Sequence, residues 1–95
     1  MTEKQDYESR LEAKLEDWRQ KIESLRAKSR DMEPERRAQC EAEIERLEQK
    51  RAEMETVLAN LELDDAHGFN ESRRRSDEGW TIMDDGLATA LVRYN

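Results

Sequence analysis

From Tyr7 to Leu25 the apolar residues of this chain recur at steps of three or four: Tyr7, Leu11, Leu15, Trp18, Ile22 and Leu25. Steps averaging about 3.5 residues line up on one side of a supercoiled α-helix, whereas a half-buried strand needs strict alternation. A second series of the same kind runs Cys40, Ile44, Leu47, Arg51, Met54, Leu58 and Leu61. Between the two stands Pro34, the only proline. Proline breaks a helix interior but suits a first helical turn, and it biases the preceding Glu33 towards extended backbone. Two helices with a break near 31–34 are therefore expected.

The phase of the two series indicates how the helices meet. If the chain reverses at the break, facing residues must have numbers that add to a constant. Leu25 with Cys40, Ile22 with Ile44, Trp18 with Leu47, Leu15 with Arg51, Leu11 with Met54 and Tyr7 with Leu58 all meet that condition to within one residue. Two unrelated seams need not share a centre. The spacing thus predicts an antiparallel coiled-coil hairpin over residues 1–63, with arms near 5–30 and 34–62. Thr2 and Gln5 have the spacing of a capping box at the first helix start.

Composition enters through a conflict. Charged residues make up 43% and hydrophobic ones only 35%, with a formal net charge of −7. Such a balance is typical of disordered chains, yet richness in Ala, Glu, Lys, Leu and Arg is typical of long helices. The conflict resolves along the chain. Those five residue types supply 40 of residues 1–63 and 11 of the 32 that follow, and all three glycines lie in the second part. Residues 64–75, containing Asp64, Asp65, Gly68 and Asn70, read as a loop or linker. Trp80, Met83, Leu87, Leu91 and Tyr94 then return to helical spacing and predict a shorter amphipathic helix over 76–95. Ser72 or Ser76 would cap it, and Gly79 and Gly86 oppose it at about 1 kcal/mol each. The expected fold is all-α, a hairpin plus a C-terminal helix that docks either on the hairpin as a three-helix arrangement or on a partner chain.

The seam resembles a set of small, uncharacterised bacterial coiled-coil proteins. Their N-terminal seam matches Tyr7, Leu11, Leu15, Trp18, Ile22 and Leu25, a later run matches Ile44, Leu47, Lys50 and Arg51, and a terminal amphipathic segment carries a tryptophan like Trp80. The resemblance covers most of the chain, although DDAHGFNESRRRS is longer than that group's usual connection. It implies a helical hairpin and brings no activity with it.

Several residues have two readings. Arg51 occupies a seam position where an aliphatic is expected; it either specifies register or lays its stem across the seam to reach a carboxylate such as Glu12 or Glu16. Trp18 is too large for a two-helix ribbon and calls for a third helix or a second chain beside it. Asp31, Glu33 and Glu35 make the hairpin tip acidic, but Arg30, Arg36 and Arg37 crowd it. Arg73, Arg74 and Arg75 are the one concentrated basic run, read as a solvated linker paired with Glu71, Asp77 and Glu78. Cys40 reads as a small apolar seam residue and His67 as a loop residue.

Function is bounded mostly by exclusion. No nucleophile–base pair or phosphate-cradling glycine loop is present, so neither an enzyme nor a cofactor is expected. With one cysteine and one histidine, a metal site would rest almost wholly on carboxylates, which is unusual for zinc. The acidic balance opposes nucleic-acid binding, which needs a surplus of Lys and Arg. The start MTEKQDYESR lacks a secretory apolar stretch, and a single cysteine suits a reducing compartment, so a cytoplasmic setting is expected. The leading expectation is a non-enzymatic interaction or scaffold protein. Its Trp80, Met83, Leu87, Leu91 and Tyr94 face would bind a protein partner, or a second copy as a homo-oligomer. Two alternatives stand beside it: an acidic regulator masking a basic nucleic-acid-binding surface, and a peripheral membrane or envelope-stress coiled-coil protein. Mixed charge signs along the hairpin disfavour the first, and a weakly acidic last segment disfavours the second.

Overall fold

A computed structural model describes residues 2–95, with the side chains of all of them except 66 and 67. It contains three helices: α1 (Glu3–Ser29), α2 (Pro34–Leu63) and α3 (Ala66–Arg93). At about 1.5 Å per residue each helix is roughly 40–45 Å long, which accounts for the elongated 50 × 19 × 17 Å outline. The chain runs up, down and up again. α2 is antiparallel to both neighbours, and α1 and α3 lie parallel.

The start of α1 is the expected capping box. Gln5 N donates to Thr2 Oγ1 at 3.1 Å, and Thr2 N donates to Gln5 Oε1 at 3.2 Å. At the first turn Asp31 N donates to Lys28 O and Met32 N to Ser29 O, both at 3.2 Å. These tight bonds end α1 with Arg30 still right-handed, and no described residue has a positive φ. That is why the turn needs no glycine. Glu33 is extended, at φ −61° and ψ 152°, and Pro34 opens α2.

The hairpin register agrees with the facing pairs. Cys40 Sγ lies 4.0 Å from Leu25 O, Arg51 Nε donates to Leu15 O at 2.9 Å, and Lys4 Nζ donates to Glu62 O at 3.1 Å. Tyr7, Leu11, Leu15, Trp18, Ile22 and Leu25 are buried from α1, and Cys40, Ile44, Leu47, Met54 and Leu61 from α2; Leu58 is partly buried beside them. Arg51 lays its stem across the seam. Its head, however, reaches the Leu15 carbonyl and Glu55 rather than Glu12 or Glu16.

The segment after the hairpin corrects the expected linker. Residues 64–75 do not form a loop, because α3 begins at Ala66. Only Asp64 and Asp65 separate the helices: Asp64 is extended, and Asp65 caps α3, its Oδ1 accepting from Gly68 N at 2.9 Å and its carbonyl from Phe69 N at 3.0 Å. The turn chemistry of Asp64 and Asp65 therefore starts a helix instead of spacing one. Phe69 outweighs the local preference of its neighbours by packing edge-on against Tyr7, with centroids 6.0 Å apart. Ser76, expected as a cap, lies fully buried inside α3.

The glycines have a packing reason. A Cβ at Gly79 would collide with Met54 Sδ, and one at Gly86 would sit 3.3 Å from Leu47 Cδ2. Gly79 and Gly86 are seven residues apart on α3, as Leu47 and Met54 are on α2. Two large side chains of α2 fill two notches of α3, so the residues that weaken α3 in isolation let it approach the hairpin.

Candidate functional site

α3 docks beside α1 through polar contacts as well as apolar ones. Trp18 is fully buried, and its indole N–H needs an acceptor there. Asp84 provides it: Trp18 Nε1 donates to Asp84 Oδ1 at 2.8 Å, and Lys14 Nζ reaches the same oxygen at 3.1 Å. Burial alone would raise the Asp84 pKa. The bonds from Trp18 and Lys14, with the charges of Lys14 and Lys21, outweigh it and hold the carboxyl below its ordinary value. Nearer the start of α3, about two helical turns away, Tyr7 makes the second anchor. Its hydroxyl donates to Asp77 Oδ1 at 2.6 Å and lies 2.9 Å from Ser76 Oγ. Burial, followed by the Asp77 bond, pushes the Tyr7 pKa up to about 12.

These anchors determine where the five expected binding residues go. Met83, Leu87 and Tyr94 are buried against the hairpin, and Leu91 is partly buried. Trp80 is different. It packs against Trp18 at 6.2 Å and 89°, and against Tyr7 at 6.0 Å and 45°, yet stays only partly buried. Its remaining surface forms one wall of a groove of about 500 Å³ whose other lining residues are Arg10, Ala13, Lys14 and Asp17 of α1. A second hollow of about 270 Å³ shares Arg10 and Trp80 and continues past Tyr7, Arg73, Asp77 and Thr81. Together they run along the α1–α3 boundary from Asp17 to Tyr7, about 15 Å at the helical rise.

Cations cover the aromatic faces of this groove. Arg73 and Arg10 lie 5.2 and 5.8 Å from the Tyr7 ring centre, and Lys14 lies 5.9 Å from that of Trp80. Lys14 also pairs with Asp84, and Arg73 with Glu3 at 2.7 Å. Arg10 forms no ion pair among the described residues. Arg73 has thus left the basic run expected in a linker, whereas Arg74 and Arg75 are exposed on α3. Sequence reasoning missed Arg10, Lys14 and Asp84, and took Asp77, which accepts from Tyr7, for a partner of the arginine run. The available signal was their placement: Arg10 and Lys14 flank the α1 seam at three and seven residues from Tyr7, beside the seam in which Trp18 called for a third helix or a second chain.

The other sequence candidates lie elsewhere. Cys40 is buried in the seam, and burial pushes its thiol pKa up, away from the reactive thiolate. At the hairpin tip Arg36 donates to Arg93 O at 2.7 Å and lies 5.3 Å from the Tyr94 ring centre, so the tip serves to hold the end of α3. The His67 side chain lies outside the described residues. Among the described residues no group of three or more His, Cys, Asp or Glu side chains is placed to hold a metal ion, and no helix is long and apolar enough to cross a membrane. The exposed large aliphatics, Leu63 (84%), Ile82 (56%) and Val92 (81%), are spread over two helices and do not make a patch. Comparison with family models, curated proteins and solved structures finds no match, which leaves the groove's own chemistry to carry the functional argument.

Proposed function

We propose that this chain is a non-enzymatic interaction protein, a rigid three-helix rod that offers the Trp80 groove between α1 and α3 to a protein partner. The observation that carries this reading is the contrast within α3. Met83, Leu87 and Tyr94 are covered by the hairpin, while Trp80 keeps accessible surface in a groove large enough for one or two partner side chains. Tryptophan and arginine together are the residue types that most often dominate interface energies. A helix or short segment laid along the boundary would bury Trp80, Ala13 and the stems of Arg10 and Lys14 at once. Self-association has less to recommend it, because the apolar face of α3 that would have driven it packs on its own hairpin. Charge mimicry is also the weaker reading, since many carboxylates pair with cations of the same helix, as Glu16 does with Arg19 and Asp17 with Lys21. The same proposal includes kinship with the small bacterial coiled-coil proteins that the seam resembles, and a cytoplasmic setting.

A photo-crosslinking amino acid placed at Ala13 in the full chain tests the reading in cells that make the protein. The expected result is a heterologous adduct from position 13 and none from position 42, an exposed site on α2. Equal labelling from both positions, or no adduct from either, would contradict it. An adduct of twice the chain mass would replace it with self-association.

A further inference from the structure

We infer that the Trp80 groove recognises an acidic peptide segment, with a carboxylate at Arg10 beside an apolar side chain seated on Trp80 and Ala13. This deepens the proposed function and rests on it.

The sign of the ligand follows from which surfaces are already occupied. An aromatic pair with open faces would attract a cation. Here Arg10 and Arg73 lie over Tyr7 and Lys14 stands 5.9 Å from the Trp80 ring centre, so an arriving cation meets positive charge, while the Trp80 surface that lines the groove stays open to an apolar group. Lys14 and Arg73 have carboxylate partners in Asp84 and Glu3, and the two carboxylates of the lining are themselves engaged, Asp17 by Lys21 and Asp77 by the Tyr7 hydroxyl. Arg10 has none among the described residues, and it is the one residue besides Trp80 common to both hollows. Its planar, forked donors match a carboxylate, and its position on α1 puts that carboxylate within reach of a segment lying over Ala13.

Overall charge narrows the class of ligand. The whole chain carries −7, and the rim, where Arg10, Lys14 and Arg73 stand against Asp17 and Asp77, is only about 15 Å long, comparable with one or two Debye lengths at physiological salt. An extended polyanion, such as a nucleic acid or an anionic bilayer, would meet mostly acidic surface beyond that rim. A peptide with one or two acids next to a leucine, methionine or phenylalanine touches the rim and the Trp80 wall without engaging the rest. Attraction at Arg10 then supplies selectivity, while burial on Trp80 supplies most of the affinity.

The test is selection of a phage-displayed random twelve-residue peptide library on the immobilised full chain. The strongest peptide is then titrated against wild type, Arg10→Glu and Ala13→Tyr, whose folding is checked by circular dichroism. Both substitutions fall on exposed positions of α1. The expected peptides carry Asp or Glu within one turn of an apolar residue. Their affinity falls roughly tenfold or more in Arg10→Glu, where a like charge replaces the attracting one. It falls similarly in Ala13→Tyr, which fills the groove. Neutral or basic peptides that still lose binding in Ala13→Tyr would overturn the acidic-ligand inference and leave the groove as the docking site. Peptides indifferent to Ala13→Tyr, or no enrichment at all, would overturn both. Vesicles of phosphatidylglycerol and phosphatidylcholine serve as the competing probe: binding to them that Arg10→Glu abolishes would overturn the peptide in favour of a lipid surface.

Discussion

Where α1 meets α2, the contact is a ladder of apolar layers repeated from Tyr7 and Leu58 to Leu25 and Cys40. Where α3 meets that hairpin, the contact is a set of unlike single devices. Two glycine notches receive Leu47 and Met54, one carboxylate holds the Trp18 indole, one hydroxyl meets Asp77, and a cluster of Tyr7, Phe69, Trp18 and Trp80 fills the space between. A ladder distributes its stability, so that losing part of one layer is tolerable. A set of single devices concentrates it, so each device should matter and should matter locally. The difference also explains the groove, since aromatic packing on one side of α3 leaves Trp80 incompletely covered.

Trp18 belongs to both interfaces and should show the largest effect. Trp18→Ala removes a fully buried indole and leaves Asp84 without its donor, and is expected to cost about 3–5 kcal/mol in denaturant unfolding. Ile22→Val, within the ladder, is expected to cost only about 0.5–1.5 kcal/mol. A loss below about 1 kcal/mol for Trp18→Ala would contradict its place in both interfaces.

Asp84→Ala is next, at about 1–3 kcal/mol, because it leaves a buried N–H without an acceptor. Amide exchange should quicken along α3 and remain slow in α1 and α2. Uniform acceleration would show that α3 and the hairpin open as one unit. The same anchor titrates. The folded Asp84 pKa lies below its ordinary value of 3.8, so its stabilisation is complete above that value and is lost as pH falls through the folded pKa. The Tyr7 anchor has the opposite sign. Its folded pKa of about 12 lies above the ordinary 10.0, so its contribution is complete below pH 10 and is lost as pH rises towards 12. Asp77, Arg73 and Arg10 face Tyr7, and Lys14 and Lys21 face Asp84. Both limbs should therefore loosen α3, followed by tyrosinate absorbance on the alkaline side and by tryptophan fluorescence on the acid side.

Much of the hairpin is legible in the sequence, because a coiled-coil seam writes itself as a repeat within one segment. The capping box at Thr2, the turn at Pro34 and the facing of Leu25 with Cys40 are local or periodic facts. The docking of α3 is neither. Gly79 and Gly86 read as helix breakers until Leu47 and Met54 are known to lie opposite them. Asp64, Asp65, Gly68 and Asn70 read as a linker because the burial of Phe69 depends on Tyr7, about sixty residues away along the chain. Arg10 and Lys14 resemble every other charged residue beside the seam until α3 is placed next to them. Trp80 is identifiable as special from its size and position; its half-covered state is not.

Two smaller tests sharpen the same point. Gly79→Ala should destabilise by about 1–2 kcal/mol, since the cost of overpacking Met54 exceeds the gain in helix propensity. Gly68→Ala meets only ordinary contacts with Asp64, at 3.5 Å and beyond, and should stabilise by about 0.5 kcal/mol. Equal signs in thermal melts would remove the notch explanation. A similarly small effect is expected in the ladder: Arg51→Leu replaces a bond to Leu15 O and a pair with Glu55 by an aliphatic layer, and should change stability by less than about 1 kcal/mol.

The two tryptophans offer the most direct measurement. Trp18 Nε1 is buried on Asp84, whereas the Trp80 indole N–H has no hydrogen-bond partner among the described residues and borders the groove. Hydrogen exchange of the two indole protons, followed by NMR in dilute protein, reads both states at once. The account predicts one strongly protected indole that loses its protection in Asp84→Ala, beside one that exchanges freely in both proteins. Two rapidly exchanging indoles would mean that α3 does not dock as described; two protected ones would mean that Trp80 is not available to a partner.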